Sequence, residues 1–208
     1  MIDQPLWRPT SEQIADSNMT AFARDAALRW GRVFDDYTAL HQWSVSESGQ
    51  FWLSVWEMAG VIASGKMDTA VENPKRLPGA RWFPNVRLNF ARNLLRRRDD
   101  APALIFRSED KIKRTLSYAE LYRQVAGLAG ALRQAGIGPG DRVCGFMPNM
   151  PETVSAMLAT ASVGATWSSC SPDFGVQGVL DRFGQITPRV LFSADGYFYN
   201  GKAHDSLE

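Results

Sequence analysis

The stretch GPGDRVCGFMPNMPETVSAMLATASVGATWSSCSPDFGVQGVLDRFGQITPRVLFSAD, Gly138 to Asp195, decides the fold. GPGDRV opens a strand that runs to about Met147, and Pro151 starts a helix that ends near Gly164. Ala165–Cys170 reads as a second strand, a second helix follows Ser171-Pro172, and Arg189–Asp195 reads as a third strand. Strands alternating with helices of this length predict a parallel sheet with crossover helices. The expected fold class is α/β: a helical N-terminal cap, then the start of a parallel βαβαβ sheet. The expected division is 1–98 for the helical region with its Pro-rich connector, and 99–208 for an incomplete α/β part.

Working outward, residues 1–64 read as short helices. Thr10 and Gln13 have the spacing of a reciprocal cap. Met19, Phe22, Ala23, Ala26, Ala27 and Trp30 form a helical stripe stopped by Gly31. Further helices are expected around Tyr37–Trp43 and Phe51–Gly60, the latter with Phe51, Trp52, Val55, Trp56 and Ala59 on one face. Short helices of this kind need a larger body to pack on, so they are read as a cap on the following domain. Gly65, Pro74, Pro78, Gly79 and Pro84 predict an extended connector over 65–84. A helix follows with Asn85 as its expected N-cap. Ala103–Arg107 and Lys113–Leu116 predict a hairpin around a Ser108–Asp110 turn. Ser117 and Glu120 form a capping box for a helix that ends at Gly136.

The 208 residues are enough for a sizeable core, and 45% apolar with 22% charged residues is ordinary for a globular chain. A net charge of +1 predicts no electrostatic funnel for nucleic acid and no attraction to an acidic membrane. No apolar run approaches the length of a membrane span. Cys144 and Cys170 fall in expected buried strands without a CxxC partner, which argues against a disulfide framework or zinc site and suits a reducing cytoplasm.

In an open parallel sheet, ligands bind beyond the carboxyl ends of the strands. Three places qualify. Met147–Glu152 offers Asn149, with Pro151 set for the first helical position. Trp167–Gly175 offers the hydroxyls of Ser168, Ser169 and Ser171 and the amides of a coming helix N-terminus, which suit phosphate. Tyr199–Lys202 offers a lysine after the third strand. No GxxxxGK[ST] loop, GxGxxG fingerprint or GxSxG elbow occurs, and His41 and His204 are far apart in the sequence. No catalytic residue and no metal ligand is therefore assigned.

The run LSYAEL, GPGDRV, MPNMPE, the helix to GAT, and SSCSPDFG resembles the N-terminal part of the adenylate-forming acyl-CoA synthetases. FWLSVWEMAG, RWFPNVRLNF and ADGYFYNGK are similar to the branch that activates acetoacetate. Arg92 departs from the acidic residue more common there. The resemblance implies ATP, Mg2+ and coenzyme A as co-substrates of an acid–thiol ligase that works through an acyl-adenylate. The family's phosphate loop, adenine segment, ribose-binding aspartate, hinge and C-terminal lysine have no counterpart here. This implies the front of a longer enzyme, inactive alone and binding none of these tightly. The resemblance also places Trp167, Ser168 and Ser169 in a turn lining the coenzyme A nucleotide site. The two serines stand where relatives carry two glycines. Lys202 matches a phosphate-contacting basic position, and Tyr199 replaces another. The alternatives are an acetyl- or propionyl-activating relative and a noncatalytic flavodoxin-like module. A self-contained module should bury its last strand around Val190 and Leu191.

Overall fold

The computed structural model describes residues 5–109 and 111–206. Asp110 of the expected Ser108–Asp110 turn lies outside them. The chain divides into two compact units, residues 1–88 and 89–208.

The first unit holds helices α1 (Ser11–Ala15), α2 (Asn18–Trp30), α3 (Tyr37–Ser46) and α4 (Ser48–Met58). Thr10 and Gln13 make the expected reciprocal cap, and Gly31 ends α2 in the left-handed region at φ 61°. Phe22, Ala26, Leu40 and Trp43 are buried together, with Phe34, Phe51 and Val55 against them. The indole N–H of Trp30 donates to Ser54 Oγ at 2.9 Å and that of Trp43 to Gln50 Oε1 at 3.2 Å, so the half-buried Trp30 and the buried Trp43 both have their polar ends satisfied.

The 65–84 stretch is not the bare connector expected. Strand β1 (Ala63–Gly65) pairs with β4 (Val86–Leu88), and β2 (Val71–Glu72) pairs with β3 (Arg81–Trp82), both antiparallel. The aromatic face of α4 is shared out accordingly. Phe51 and Val55 join the helical core, whereas Trp56 packs on Phe83 with tilted rings 4.5 Å apart and Trp52 meets Trp82 at 6.1 Å. Apolar cover for these small ladders thus comes from the helix before them.

The second unit opens with α5 (Phe90–Leu94). Its N-cap is Asn89 rather than Asn85. Asn89 Oδ1 accepts from the Arg92 amide at 3.0 Å, while Asn85 Nδ2 donates to Asp68. Asn89 Nδ2 also donates to the carbonyls of Ala161 (2.9 Å) and Ser162 (3.3 Å). Strands β5 (Pro102–Ser108) and β6 (Ile112–Ser117) form the expected hairpin. Helix α6 (Tyr118–Gln134) begins on the Ser117–Glu120 capping box. It ends where Gly136, at φ 71°, lets the Ile137 amide reach back to the Leu132 carbonyl.

The parallel sheet follows: β7 (Arg142–Phe146), α7 (Pro151–Ser162), β8 (Thr166–Cys170), α8 (Val176–Phe183) and β9 (Val190–Ser193), in the order β8-β7-β9. Strand alternation sends Val143 and Gly145 to one face of β7 and Cys144 and Phe146 to the other. The first face packs on α6 and α7 through Val125, Ala129, Leu158 and Ala159. The second packs on α8 through Val179 and Phe183, with Cys170 beside Cys144. The central strand is thus covered on both faces, while Leu191 of edge strand β9 stays exposed. Both cysteines are free, and burial pushes their thiols up from the ordinary value of 9.0. The chain order reverses across β7, so a topological switch point lies between the carboxyl ends of β7 and β9. Helix α8 starts at Val176, with Gly175 as its N-cap, several residues after the expected Ser171-Pro172 start. Last come β10 (Gly196–Tyr199) and β11 (Lys202–Asp205), an antiparallel pair that carries the Tyr199–Lys202 stretch. None of the described helices is long and apolar enough to cross a membrane.

Asp141 fastens the start of the sheet. Its Oδ2 accepts from the Gly138 amide at 2.9 Å, and Arg189 Nη1 donates to both carboxylate oxygens at 3.0 and 3.1 Å. The Gly138 amide first, and the Arg189 guanidinium after it, hold this carboxyl below its ordinary value of 3.8. A carboxyl depressed in the folded state adds stability above its unfolded value and loses it as pH falls through the folded value. Asp141→Asn should therefore lower Tm at neutral pH, with the gap to wild type closing as pH falls below 3.8. A gap that stays constant down to acid pH would count against this linkage.

Candidate functional site

The carboxyl ends of β7, β8 and β9 open into a cavity of about 730 Å³. That is within the range of small-molecule sites. The turn after β7 gives Pro148, Asn149 and Met150, the turn after β8 gives Ser171 and Asp173, and the two hairpins close the sides. The cavity sits at the switch point, where this class of sheet places ligands.

The β10–β11 hairpin builds one wall. Asn200 and Gly201 turn it with φ of 51° and 72°, the two-residue left-handed turn that Asn-Gly favours. Tyr199 lies opposite Lys202 and Tyr197 opposite His204, so all four side chains project from one face. The Tyr197 and His204 rings stack at 5.1 Å, and His204 Nε2 lies 3.3 Å from the Tyr199 carbonyl oxygen. The Tyr197 hydroxyl donates to Asp173 Oδ1 at 3.2 Å, and Ser171 Oγ donates to Asp173 Oδ2 at 2.9 Å. Burial first, and the Asp173 contact after it, push the Tyr197 phenol above its ordinary value of 10.0. It therefore remains a proton donor at neutral pH. On the opposite side, Arg114 is held by Glu152 at 2.6 Å.

Charge is unevenly placed. Glu109, Asp173, Asp195 and Asp205 line the cavity against Arg107 and Arg114, so its interior is not a basic phosphate pocket. Lys202 stands outside the lining, exposed at the hairpin tip, and makes no ion pair among the described residues. No group of three or more His, Cys, Asp or Glu among the described residues is placed to hold a metal ion.

The structure brings Tyr199 and Lys202 together as a cross-strand pair. It does not bring Trp167, Ser168 and Ser169 into the cavity lining. These three lie within strand β8 and not in the turn after it. Trp167 packs in the core over Gly145, with Phe192 at 6.2 Å, Ser168 is half-buried opposite Cys144, and Ser169 is exposed. Sequence reasoning missed Tyr197, Asp173 and His204. The available signal was the Asn-Gly pair between Tyr197, Tyr199 and the following alternating residues, a hairpin signature.

The chain belongs to the AMP-binding enzyme family, whose model matches residues 90–207. The model for the acetyl-coenzyme A synthetase N-terminus matches residues 37–94. Acetoacetyl-coenzyme A synthetase of Rhizobium meliloti (strain 1021) is 55% identical over 203 residues, 98% of this chain and 31% of that protein. Acetoacetyl-CoA synthetase of Rattus norvegicus is 42% identical over 208 residues, again 31% of that protein. The solved acetoacetyl-CoA synthetase from Streptomyces lividans superposes with a TM-score of 0.91 at 47% identity, over 98% of this chain and 32% of that one. The chain thus spans about 31% of the length of the curated relatives it matches.

Proposed function

We propose that this chain supplies the N-terminal α/β part of an AMP-forming acetoacetate–CoA ligase. In that reaction the acetoacetate carboxylate attacks the α-phosphate of ATP and pyrophosphate leaves. The thiol of coenzyme A then attacks the acyl carbonyl and AMP leaves. The observation that carries this reading is the match of 98% of the chain to an acetoacetyl-CoA synthetase at 55% identity. Exposure of Leu191, 54% accessible on edge strand β9, favours it over a self-contained binding module, which would bury that strand.

Within the ligase, this chain's task is to bind and orient coenzyme A. Lys202 attracts a nucleotide phosphate, and Tyr199 lays an aromatic face beside that charge. Ser168 and Ser169 add hydroxyls from β8, outside that cavity, and Trp167 fixes that strand by packing over Gly145. Magnesium accompanies ATP in that reaction, and no residue of this chain is assigned to it. The free, buried thiols of Cys144 and Cys170 support a cytoplasmic setting.

The test is a graft of this chain in place of the matching segment of the Streptomyces lividans enzyme. The chimera should form acetoacetyl-CoA. In it, Lys202→Ala should raise the KM for coenzyme A about fivefold, the size of one exposed charge contact. Acetoacetate-dependent ATP–pyrophosphate exchange should be unchanged. The 208-residue chain alone should show no such exchange. Exchange by the chain alone, or an unchanged KM in Lys202→Ala, would overturn the assignment.

A further inference from the structure

The turn of the β10–β11 hairpin is held from a distant part of the chain. The Gly201 amide donates to the Glu109 carboxylate, at 3.0 Å to Oε2 and 3.3 Å to Oε1, across 92 positions of sequence. Glu109 adopts φ 46°, a region that non-glycine residues occupy at a cost of about 1 kcal/mol. A glutamate in that conformation, aimed at a backbone amide, marks a constrained position. The amide it holds immediately precedes Lys202, the exposed cation of this face. A charged acceptor on a backbone N–H is also stronger than a neutral one. The turn therefore carries an exposed lysine next in sequence to an amide that a resident anion already occupies.

We propose that Glu109 is a positioning residue that doubles as an internal anion. It holds the Asn200–Gly201 turn through the Gly201 amide, and it brings a negative charge to the turn that carries Lys202. This rests on the reading of Lys202 as a coenzyme A phosphate contact. Two consequences follow from the charge. A phosphate engaging Lys202 binds against the repulsion of that carboxylate. Affinity for the phosphorylated ligand is then set below what Lys202 alone would give, which favours release.

The test separates charge from shape. Glu109→Gln keeps a carbonyl acceptor within reach of the Gly201 amide and removes the negative charge. The 208-residue chain is titrated with coenzyme A, and separately with pantetheine, which lacks every phosphate, while backbone amide resonances are followed by NMR. Glu109→Gln should tighten coenzyme A binding about threefold to tenfold at low salt, the effect of removing one like charge near a phosphate in high dielectric. The gain should shrink at about 1 M salt. Pantetheine affinity should not move, and the Gly201 amide should shift upfield as its acceptor loses charge. Lys202→Ala, run in parallel, should weaken coenzyme A binding. If Lys202→Ala weakens binding but Glu109→Gln leaves it unchanged or weaker, the inference fails while the coenzyme A reading stands. If neither substitution changes coenzyme A affinity, both fail. Equal changes for coenzyme A and pantetheine would make Glu109 merely structural and overturn the proposal.

Discussion

Replacing Gly145 with valine should cost about 3 kcal/mol or more of stability and lower Tm by several degrees. Gly145 lies on β7, the central strand of the parallel sheet, and is buried. Its φ is not in the left-handed region, so glycine is required there for space alone. A Cβ at this position would stand 2.5 Å from Cη2 and 2.6 Å from Cζ2 of Trp167. The indole cannot retreat easily, because it packs in the core beside Phe192 and Val143. Overpacking a well-filled core costs about 1–3 kcal/mol, and a branched side chain against a fixed indole belongs at or above the upper end. That is a large share of the roughly 5–15 kcal/mol by which a domain is stable. Circular dichroism melts of Gly145→Val, Gly145→Ala and Gly145→Ala/Trp167→Leu would check it. The double variant should recover part of the loss, since contacting sites couple. A Tm for Gly145→Val within about 2 °C of wild type would refute the packing of Trp167 on this glycine.

Truncating Trp43 to alanine should cost the first unit about 3–5 kcal/mol, the range for removing a buried large aromatic. Trp43 is 5% exposed, lies 5.1 Å from Phe34 and 5.9 Å from Phe51, and bonds Gln50 through its indole N–H. Helices of 10 to 13 residues such as α2, α3 and α4 are marginal alone, so this aromatic cluster is what holds them. Alanine would leave a cavity and also strand the Gln50 amide. Hydrogen exchange read by mass spectrometry should show faster exchange through α2, α3 and α4 in Trp43→Ala than in wild type. Unchanged protection there would mean that the cluster is not what stabilises these helices.

Where the chain writes its structure in local chemistry, the sequence was enough. The Ser117–Glu120 box, Pro151 at the start of α7 and Gly31 after α2 each solve a backbone hydrogen-bonding problem with neighbouring residues. The strand–helix alternation of the parallel sheet was legible for the same reason. Errors arose where a nonlocal partner decides. Asn85 and Asn89 are equal as caps on paper, but only Asn89 also finds the carbonyls at the end of α7. The ladders within 65–84 are two or three residues long, too short for periodicity to register. The resemblance places Trp167 and the two serines in a turn, whereas they lie in the strand that the pattern over Ala165–Cys170 predicts. In the structure Trp167 is placed by the bare surface of Gly145. The contact of Glu109 with Gly201 joins two hairpin tips that no sequence pattern links.

The double role of Asn89 fixes where this protein tolerates recombination. Its side chain starts one helix and closes another 72 positions away, so both ends must come from the same parent. A crossover between Leu88 and Asn89 respects that, and it falls at the border between the two compact units. A crossover between residues 98 and 99 would give Asn89 to one parent and Ala161 and Ser162 to the other. Shuffled libraries built with relatives should accordingly be enriched for the first junction among folded survivors.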